Sequence, residues 1–78
     1  MRFTRYFEHM RSRADRAAIR LEWIERVISH PEHEHRQRDG RIRRWARIAE
    51  MDGRWLRVIL LSDAETVHNA FFDRSFRP

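Results

Sequence analysis

The sequence has no cysteine and no lysine, and it contains only two glycines. Without cysteine the chain can form no disulfide, thiolate metal site or thiol nucleophile, which is typical of proteins in the reducing cytosol. Both glycines follow an aspartate, so neither belongs to a glycine-rich phosphate loop, and nucleoside triphosphate chemistry is not indicated. The longest apolar run covers only residues 58–61, so we expect a cytoplasmic protein with neither a signal peptide nor a membrane span.

The positive charge of the chain comes entirely from arginine. Seventeen arginines stand against twelve acidic residues, and the formal net charge is +5. Arginine binds phosphate through two parallel hydrogen bonds and stacks on planar groups, so the surface suits RNA or an acidic protein partner. With 78 residues, 41% of them hydrophobic, the chain is predicted to form one domain spanning residues 1–78. A core this small favours an open surface over a deep pocket as the working site.

The first third of the chain shows apolar side chains at helical spacing, which predicts two amphipathic helices. The apolar side of the first consists of Phe3, Phe7, Met10, Ala14 and Ala17. That of the second consists of Leu21, Trp23, Ile24, Val27 and Ile28, and Pro31 stops this helix. A short strand at residues 2–4 can precede the first helix, and the polar segment 11–16 ends or bends it. In that segment we expect Asp15 and Arg16 to pair with each other or with nearby charges.

Three turn signals divide the second half of the chain into strands. Asp39-Gly40 and Asp52-Gly53 are strong signals for tight turns, because glycine adopts positive φ freely and aspartate tolerates it. A third turn falls at residues 62–65. The segments between these turns predict a three-stranded antiparallel meander, to which residues 36–39 can add a short edge strand. The expected fold class is α+β, with two N-terminal helices packed on one face of a C-terminal three-stranded antiparallel sheet.

Two-residue turns would also set the register of the strands, so that alternate residues point to opposite faces. We assume that Met51 pairs with Arg54, and Ser62 with Glu65. The expected core face then holds Trp45, Ala49, Leu56, Val58, Leu60, Val67, Asn69 and Phe71, with Arg43 and Arg47 at its rim. The other face holds Arg44, Ala46, Ile48, Glu50, Trp55, Arg57, Ile59, His68, Ala70, Phe72 and Arg74. A slip of one residue in either turn would exchange part of these sets.

On the second face the assumed registers bring together Arg44, Arg57 and His68. Two arginines can hold a phosphodiester, and a histidine with an ordinary pKa of about 6.5 can move the proton of a ribose 2′-hydroxyl near neutral pH. These residues are therefore a candidate site for RNA cleavage without a metal, with His68 as general acid or base and both arginines on phosphate. Glu50 is the alternative base. The same residues also fit a solvated sheet face without any chemistry.

Two further groups of side chains bear on binding. Arg43, Arg47 and Arg74 are the predicted additional RNA contacts. In the connector before the sheet, His33 and His35 would lie on the same side of an extended chain, as two zinc-binding imidazoles do. The local pattern supplies no third ligand, so we expect no metal site and no cofactor.

Five short motifs carry a resemblance to known proteins: ADR at 14–16, EWI at 22–24, DGRIRRW at 39–45, LRV at 56–58 and NAFFDR at 69–74. They make nearly the whole chain similar to an uncharacterised family of short bacterial proteins, found in cyanobacteria and proteobacteria. The order of helices and strands also resembles the RelE and BrnT toxin fold. Some proteins of that fold are ribonucleases neutralised by an antitoxin from a neighbouring gene, so the resemblance implies a toxin of that kind.

The sequence is therefore consistent with two functions. The first is an RNA-cleaving toxin, and the second is a binding module whose basic face holds RNA or an acidic protein partner. We also expect a protein partner, either a second copy of the chain or the antitoxin, because the apolar residues Trp55, Ile59 and Phe72 fall on the second face. The residues expected to be most buried are Trp23, Ile24, Val27, Val58, Leu60 and Phe71.

Overall fold

The computed structural model describes residues 1–14 and 16–78 completely, and Asp15 through its backbone alone, so the predicted pairing of the Asp15 side chain lies outside the described residues. The chain has an α+β fold. Its elements are β1 (Arg2–Phe3), α1 (Arg5–Met10), α2 (Ala14–Ala17), α3 (Leu21–Ser29), β2 (His33–Arg36), β3 (Ile42–Ile48), β4 (Arg54–Leu60) and β5 (Thr66–Phe72). A short 3-10 turn at Ala49–Met51 lies between β3 and β4.

The sheet is mixed and runs in the order β1-β5-β4-β3-β2. The predicted meander corresponds to β3, β4 and β5. One further strand pairs at each side of it, so the sheet has five strands rather than the three that we expected. The short strand predicted at the N-terminus pairs in parallel with β5. At the other edge β2 pairs antiparallel with β3, earlier in the chain than the edge strand expected at residues 36–39. All residues of β2 are polar and exposed, which is common at a sheet edge. Because β2 has no alternation of apolar and polar residues, the sequence pattern does not predict it as a strand.

The first helix is shorter than its apolar stripe suggested. It begins after Thr4, whose Oγ1 accepts a hydrogen bond from Phe7 N at 3.1 Å, and it ends at Met10. Just beyond, Ser12 Oγ donates to the carbonyl of His9 at 2.8 Å, a local bond that competes with a continued helix. The polar segment therefore does end the helix, and Ala14–Ala17 forms the separate short helix α2. Within the described part of the chain, no helix is long and apolar enough to cross a membrane.

Helices α1 and α3 pack on the same face of the sheet, which we call the helix face. The residues that they contribute to the core cluster are Phe7, Trp23, Ile24 and Val27. The sheet contributes Ile42, Ala46, Ile48, Leu56, Val58, Leu60, Val67 and Ala70. Each large apolar side chain buried here contributes roughly 1.5–3 kcal/mol. The predicted burial is confirmed for Trp23, Ile24, Val27, Val58 and Leu60, whereas Phe71 is only half-buried.

The register predicted for β3 and β4 is wrong by three residues. Arg54 pairs with Ile48 rather than with Met51, because the connection spans residues 49–53 instead of two residues. Asp52 and Gly53 do adopt positive φ, at 58° and 71°, but they follow the 3-10 turn, and Gly53 N donates to the carbonyl of Ile48 at 3.0 Å. An odd shift moves every β3 side chain to the opposite face.

The register of β4 and β5 starts as predicted and then changes. Leu60 lies opposite Val67, as the assumed turn required, but Ile59 lies opposite Asn69. His68, which lies between Val67 and Asn69 on β5, has no partner on β4 and forms a β-bulge. Beyond the bulge the faces are exchanged relative to the prediction. Ala70 and Phe72 now point to the helix face, and Asn69 and Phe71 point away from it.

Candidate nucleic-acid interface

The face opposite the helices, which we call the outer face, carries a row of four side chains across four strands. This central row consists of His33, Trp45, Arg57 and Phe71, each directly opposite the next in the strand register. The guanidinium carbon of Arg57 lies 5.3 Å from the ring centroid of Trp45 and 5.2 Å from that of Phe71. Arg57 is therefore held between two aromatic rings by cation–π contacts.

The charge of Arg57 is only partly neutralised. Its Nε lies 3.6 Å from Oδ2 of Asp73, and this buried nitrogen has no hydrogen-bond partner among the described residues. Burial lowers the pKa of Arg57, the nearby charge of Arg43 lowers it further, and Asp73 opposes both. The same Asp73 oxygen accepts a hydrogen bond from Trp45 Nε1 at 3.1 Å, whereas its interaction with Arg57 is an ion pair without a hydrogen bond. Asp73 and the two aromatic rings together fix the guanidinium of Arg57 in the middle of the outer face.

A second row runs beside the central row. It consists of His35, Arg43, Ile59 and Asn69. With the Gln37 amide oriented by its hydrogen bonds, its oxygen accepts from Nε and Nη2 of Arg43 at 3.1 and 2.7 Å. Arg43 has no acidic partner in the described part of the chain, and it is the diagonal neighbour of Arg57. The two rows thus place two arginines, histidines and a phenylalanine on one surface.

The C-terminal segment covers one end of the central row. Phe76 stacks on Trp45, and its ring also meets Trp55 and His33 edge-on at centroid distances of 5.0 and 5.4 Å. The segment is anchored by Asp73, whose Oδ1 accepts from the backbone N and the Oγ of Ser75 at 3.1 and 2.8 Å. Trp45 is consequently buried on the outer face, whereas in the second row His35 is exposed and the other three residues are half-buried.

The structure separates the three residues predicted to cleave RNA. Arg44 points to the helix face, where its Nε bonds Glu34 at 2.6 Å and its Nη1 donates to the carbonyl of Ile28 at 3.0 Å. It lies opposite Val58, the residue next to Arg57, so the two arginines are on opposite faces. The predicted convergence of Arg44, Arg57 and His68 is wrong, because it depended on the register that the 3-10 turn and the bulge change.

His68 lies in the bulge, at the sheet edge beside α1. Its Nδ1 is 3.1 Å from Thr4 Oγ1, and its ring stacks on Tyr6 with centroids 5.0 Å apart. Burial lowers the pKa of His68, and the charge of Arg41 acts in the same direction. This histidine joins strand β5 to the start of α1.

The alternative base and the predicted RNA contacts are placed as follows. Glu50 receives two hydrogen bonds from Arg26, at 3.1 and 3.0 Å, and hydrogen bonding to Arg26 is the largest of the causes that lower the pKa of Glu50 to about 2. Such a carboxylate is a weak base. Arg43 and Arg47 lie on the outer face, and Arg47 bonds Glu32 while covering Trp55 at 5.3 Å. Arg74 is exposed at the end of the sheet, beside the C-terminal segment.

Sequence reasoning missed the part played by Asp73 and Phe76 and the position of His33 in the central row. The signal for the first two was the spacing D-x-S-F at 73–76, since an aspartate two residues before a serine commonly forms a local turn. His33 and His35 do share one side of the extended strand, as predicted. No group of three potential metal ligands occurs among the described residues.

Comparisons with protein-family models, with curated proteins and with solved structures found no match for this chain. The functional conclusion therefore depends on the chemistry of the outer face.

Proposed function

We propose that this protein binds single-stranded RNA through the outer face of its sheet. The observation that carries the proposal is the central row, in which Arg57 lies between Trp45 and Phe71 with its charge only partly neutralised. Proteins that bind single strands combine a positively charged surface with planar groups on which bases stack. On this face the planar groups are the guanidinium of Arg43 and the ring of Phe71, which is half-buried and lies 5.2 Å from the guanidinium carbon of Arg16. The charge of Arg43, which has no acidic partner among the described residues, attracts phosphate.

The planar side chains favour RNA over an acidic protein partner. An acidic peptide would pair with the arginine charges, but it would have no planar group to stack on the aromatic rings and on His35. A base matches both, because its faces stack and its phosphate is anionic, and stacking contributes roughly 1–3 kcal/mol per base. Binding without cleavage is the better-supported function, since the groups proposed for catalysis lie on two faces and one edge of the sheet.

A toxin role in the cytoplasm is part of the same proposal. Its support is the arrangement of α1 and α3 on one face of the sheet, as the resemblance to RelE and BrnT implied, which leaves the outer face free for RNA. An antitoxin that covers the outer face would compete directly with RNA. A toxin of this type would act by holding its RNA.

The binding test compares two double variants that each remove two arginines. Arg43→Ala with Arg47→Ala changes the outer face, and Arg5→Ala with Arg20→Ala changes the helix side. In each pair one arginine has an acidic partner and the other has none among the described residues. Fluorescence anisotropy with a labelled single-stranded RNA is measured at about 50 and about 200 mM salt. Only the outer-face variant should bind weakly, with a salt slope lower by about 1.4. Equal losses in both variants would mean that binding follows net charge alone.

The toxin role is tested by growth. Expression of the wild type should slow growth, and the outer-face double variant should not. Coexpression of the neighbouring gene product should restore growth. Because we propose binding without cleavage, His68→Ala should be as toxic as the wild type. Normal growth with the wild-type protein would refute the toxin role and would leave RNA binding to be judged by anisotropy.

A further inference from the structure

A groove of about 380 Å³ lies at the end of the sheet, between the start of β4, the end of β5 and the C-terminal segment. We call it the end groove. Its chemistry is defined by three arginines and three aromatic residues: Arg54, Arg74, Arg77, Trp55, Phe72 and Phe76. Binding sites for small ligands usually have volumes of roughly 300–1,000 Å³, so the end groove can hold a molecule of the size of one nucleotide.

The end groove has an excess of positive charge. Among the described residues, neither Arg54 nor Arg74 forms an ion pair, and both are exposed. Arg77 donates only to main-chain carbonyls, at 3.3 Å to that of Arg74 and 3.1 Å to that of Phe76. The acidic side chain in the groove, Asp73, already accepts hydrogen bonds from Trp45 and Ser75. The three guanidinium groups are therefore available to an anion.

The walls of the end groove are aromatic and meet at a steep angle. The rings of Trp55 and Phe76 have centroids 5.0 Å apart and planes inclined at 69°. On the other side, Arg54 covers the ring of Phe72 with its guanidinium carbon 4.7 Å from the centroid. A ligand that fits this lining has a planar ring to place against Trp55 or Phe76 and an anionic group for the arginines.

We propose that the end groove binds a phosphate monoester of a nucleoside, with Arg54 and Arg74 on the phosphate and the base against Trp55 and Phe76. The ligand is either the phosphorylated end of an RNA strand or a free nucleoside monophosphate. In the first form the proposal rests on RNA binding by the outer face. The geometry supports that form, because Trp55 borders both the outer face and the end groove, and Phe76 extends from the groove to Trp45. A strand on the outer face thus reaches the groove with its terminal nucleotide.

The test uses one RNA sequence with three kinds of ends: a 5′-phosphate, a 3′-phosphate, or hydroxyl groups at both ends. One phosphorylated form should bind about tenfold more tightly than the hydroxyl form, as expected for charge-assisted hydrogen bonds. The preference should disappear in Arg54→Ala with Arg74→Ala and persist in the control Arg5→Ala with Arg20→Ala. Arg54 and Arg74 are exposed and lie outside the core cluster, so their replacement leaves the core intact.

Adenosine 5′-monophosphate, titrated against tryptophan fluorescence, distinguishes the two sources of the ligand. Saturable binding that the groove variant abolishes, without any preference among the RNAs, would identify a free nucleotide as the ligand. Equal binding of the three RNAs together with no response to the nucleotide would overturn the proposal. A phosphate preference that survives in the groove variant would overturn it as well. Neither result would affect RNA binding by the outer face, which the Arg43 and Arg47 double variant tests separately.

Discussion

Phe76 stacks on Trp45 with ring centroids 4.5 Å apart and planes inclined at only 17°. This contact joins the C-terminal segment to the middle of β3, on the side of the sheet that the helices do not cover. It explains why Trp45 is buried although it lies outside the main core. The domain therefore has a second, smaller apolar cluster on its outer face.

Replacement of Phe76 by alanine should lower the free energy of unfolding by about 1–3 kcal/mol, from lost stacking and lost apolar burial. The same change should expose Trp45 and shift its fluorescence to longer wavelength. Urea denaturation followed by fluorescence measures both effects. Tyr6→Ala is the control, since Tyr6 also stacks on a ring but is 48% exposed, so it should cost less. An unchanged emission spectrum for Phe76→Ala would contradict the predicted cover over Trp45.

Arg44→Ala should reduce stability without reducing RNA affinity. The Arg44 side chain is 18% exposed and holds β3 to the last turn of α3 through the carbonyl of Ile28, so its loss should cost about 1–3 kcal/mol. Urea denaturation and RNA anisotropy are measured on the same sample. Arg47 lies on the exposed side of the same strand, so Arg47→Ala should reduce RNA affinity without reducing stability. Weaker RNA binding by a fully folded Arg44→Ala protein would contradict this prediction and would mean that Arg44 contacts RNA.

Acid should weaken the turn between β4 and β5. The Thr66 hydroxyl, followed by the backbone N–H groups of Thr66 and Glu65, lowers the pKa of Asp63 to about 2. A lowered folded-state pKa gives stability that is present above the ordinary value of 3.8 and is lost as the pH falls through about 2. The wild type should therefore lose more stability than Asp63→Asn between about pH 4 and pH 2. Urea midpoints across this range, with Asp52→Asn as the control, measure the difference.

The titration of His68 should occur below its ordinary pKa of about 6.5. Burial and Arg41 disfavour the charged ring, so this contribution to stability is present above about pH 6.5 and is lost as the pH falls below it. Proton NMR of the imidazole gives the midpoint, and His68→Gln assigns the signal. A midpoint at or above 6.5 would show that the ring is more exposed than its contacts with Thr4 and Tyr6 imply.

Local patterns in the sequence determined several parts of this protein. The apolar spacing in Leu21–Ser29 placed α3, because a helix brings residues three and four apart to one side. The turn signals placed β3, β4 and β5, since positive φ at Asp52 and Gly53 is a local property of those residues. The helix face was predicted for Val58 and Leu60 because burial alternates along a strand. The sequence also showed that the positive charge is carried by arginine alone, which suits anionic partners.

Only the tertiary structure decided which arginines share a face. The connection at residues 49–53 and the bulge at His68 each change the register by an odd number of residues. The alternation of residues along a strand is the same in either register, so it does not show which face each residue occupies. Arg44 consequently joins the helix face and Arg57 the outer face. The exposed strand β2 and the C-terminal segment have no apolar periodicity, so their positions follow from pairing with β3 and from the stacking of Phe76 on Trp45. These long-range contacts assemble the candidate interface, and no local pattern encodes them.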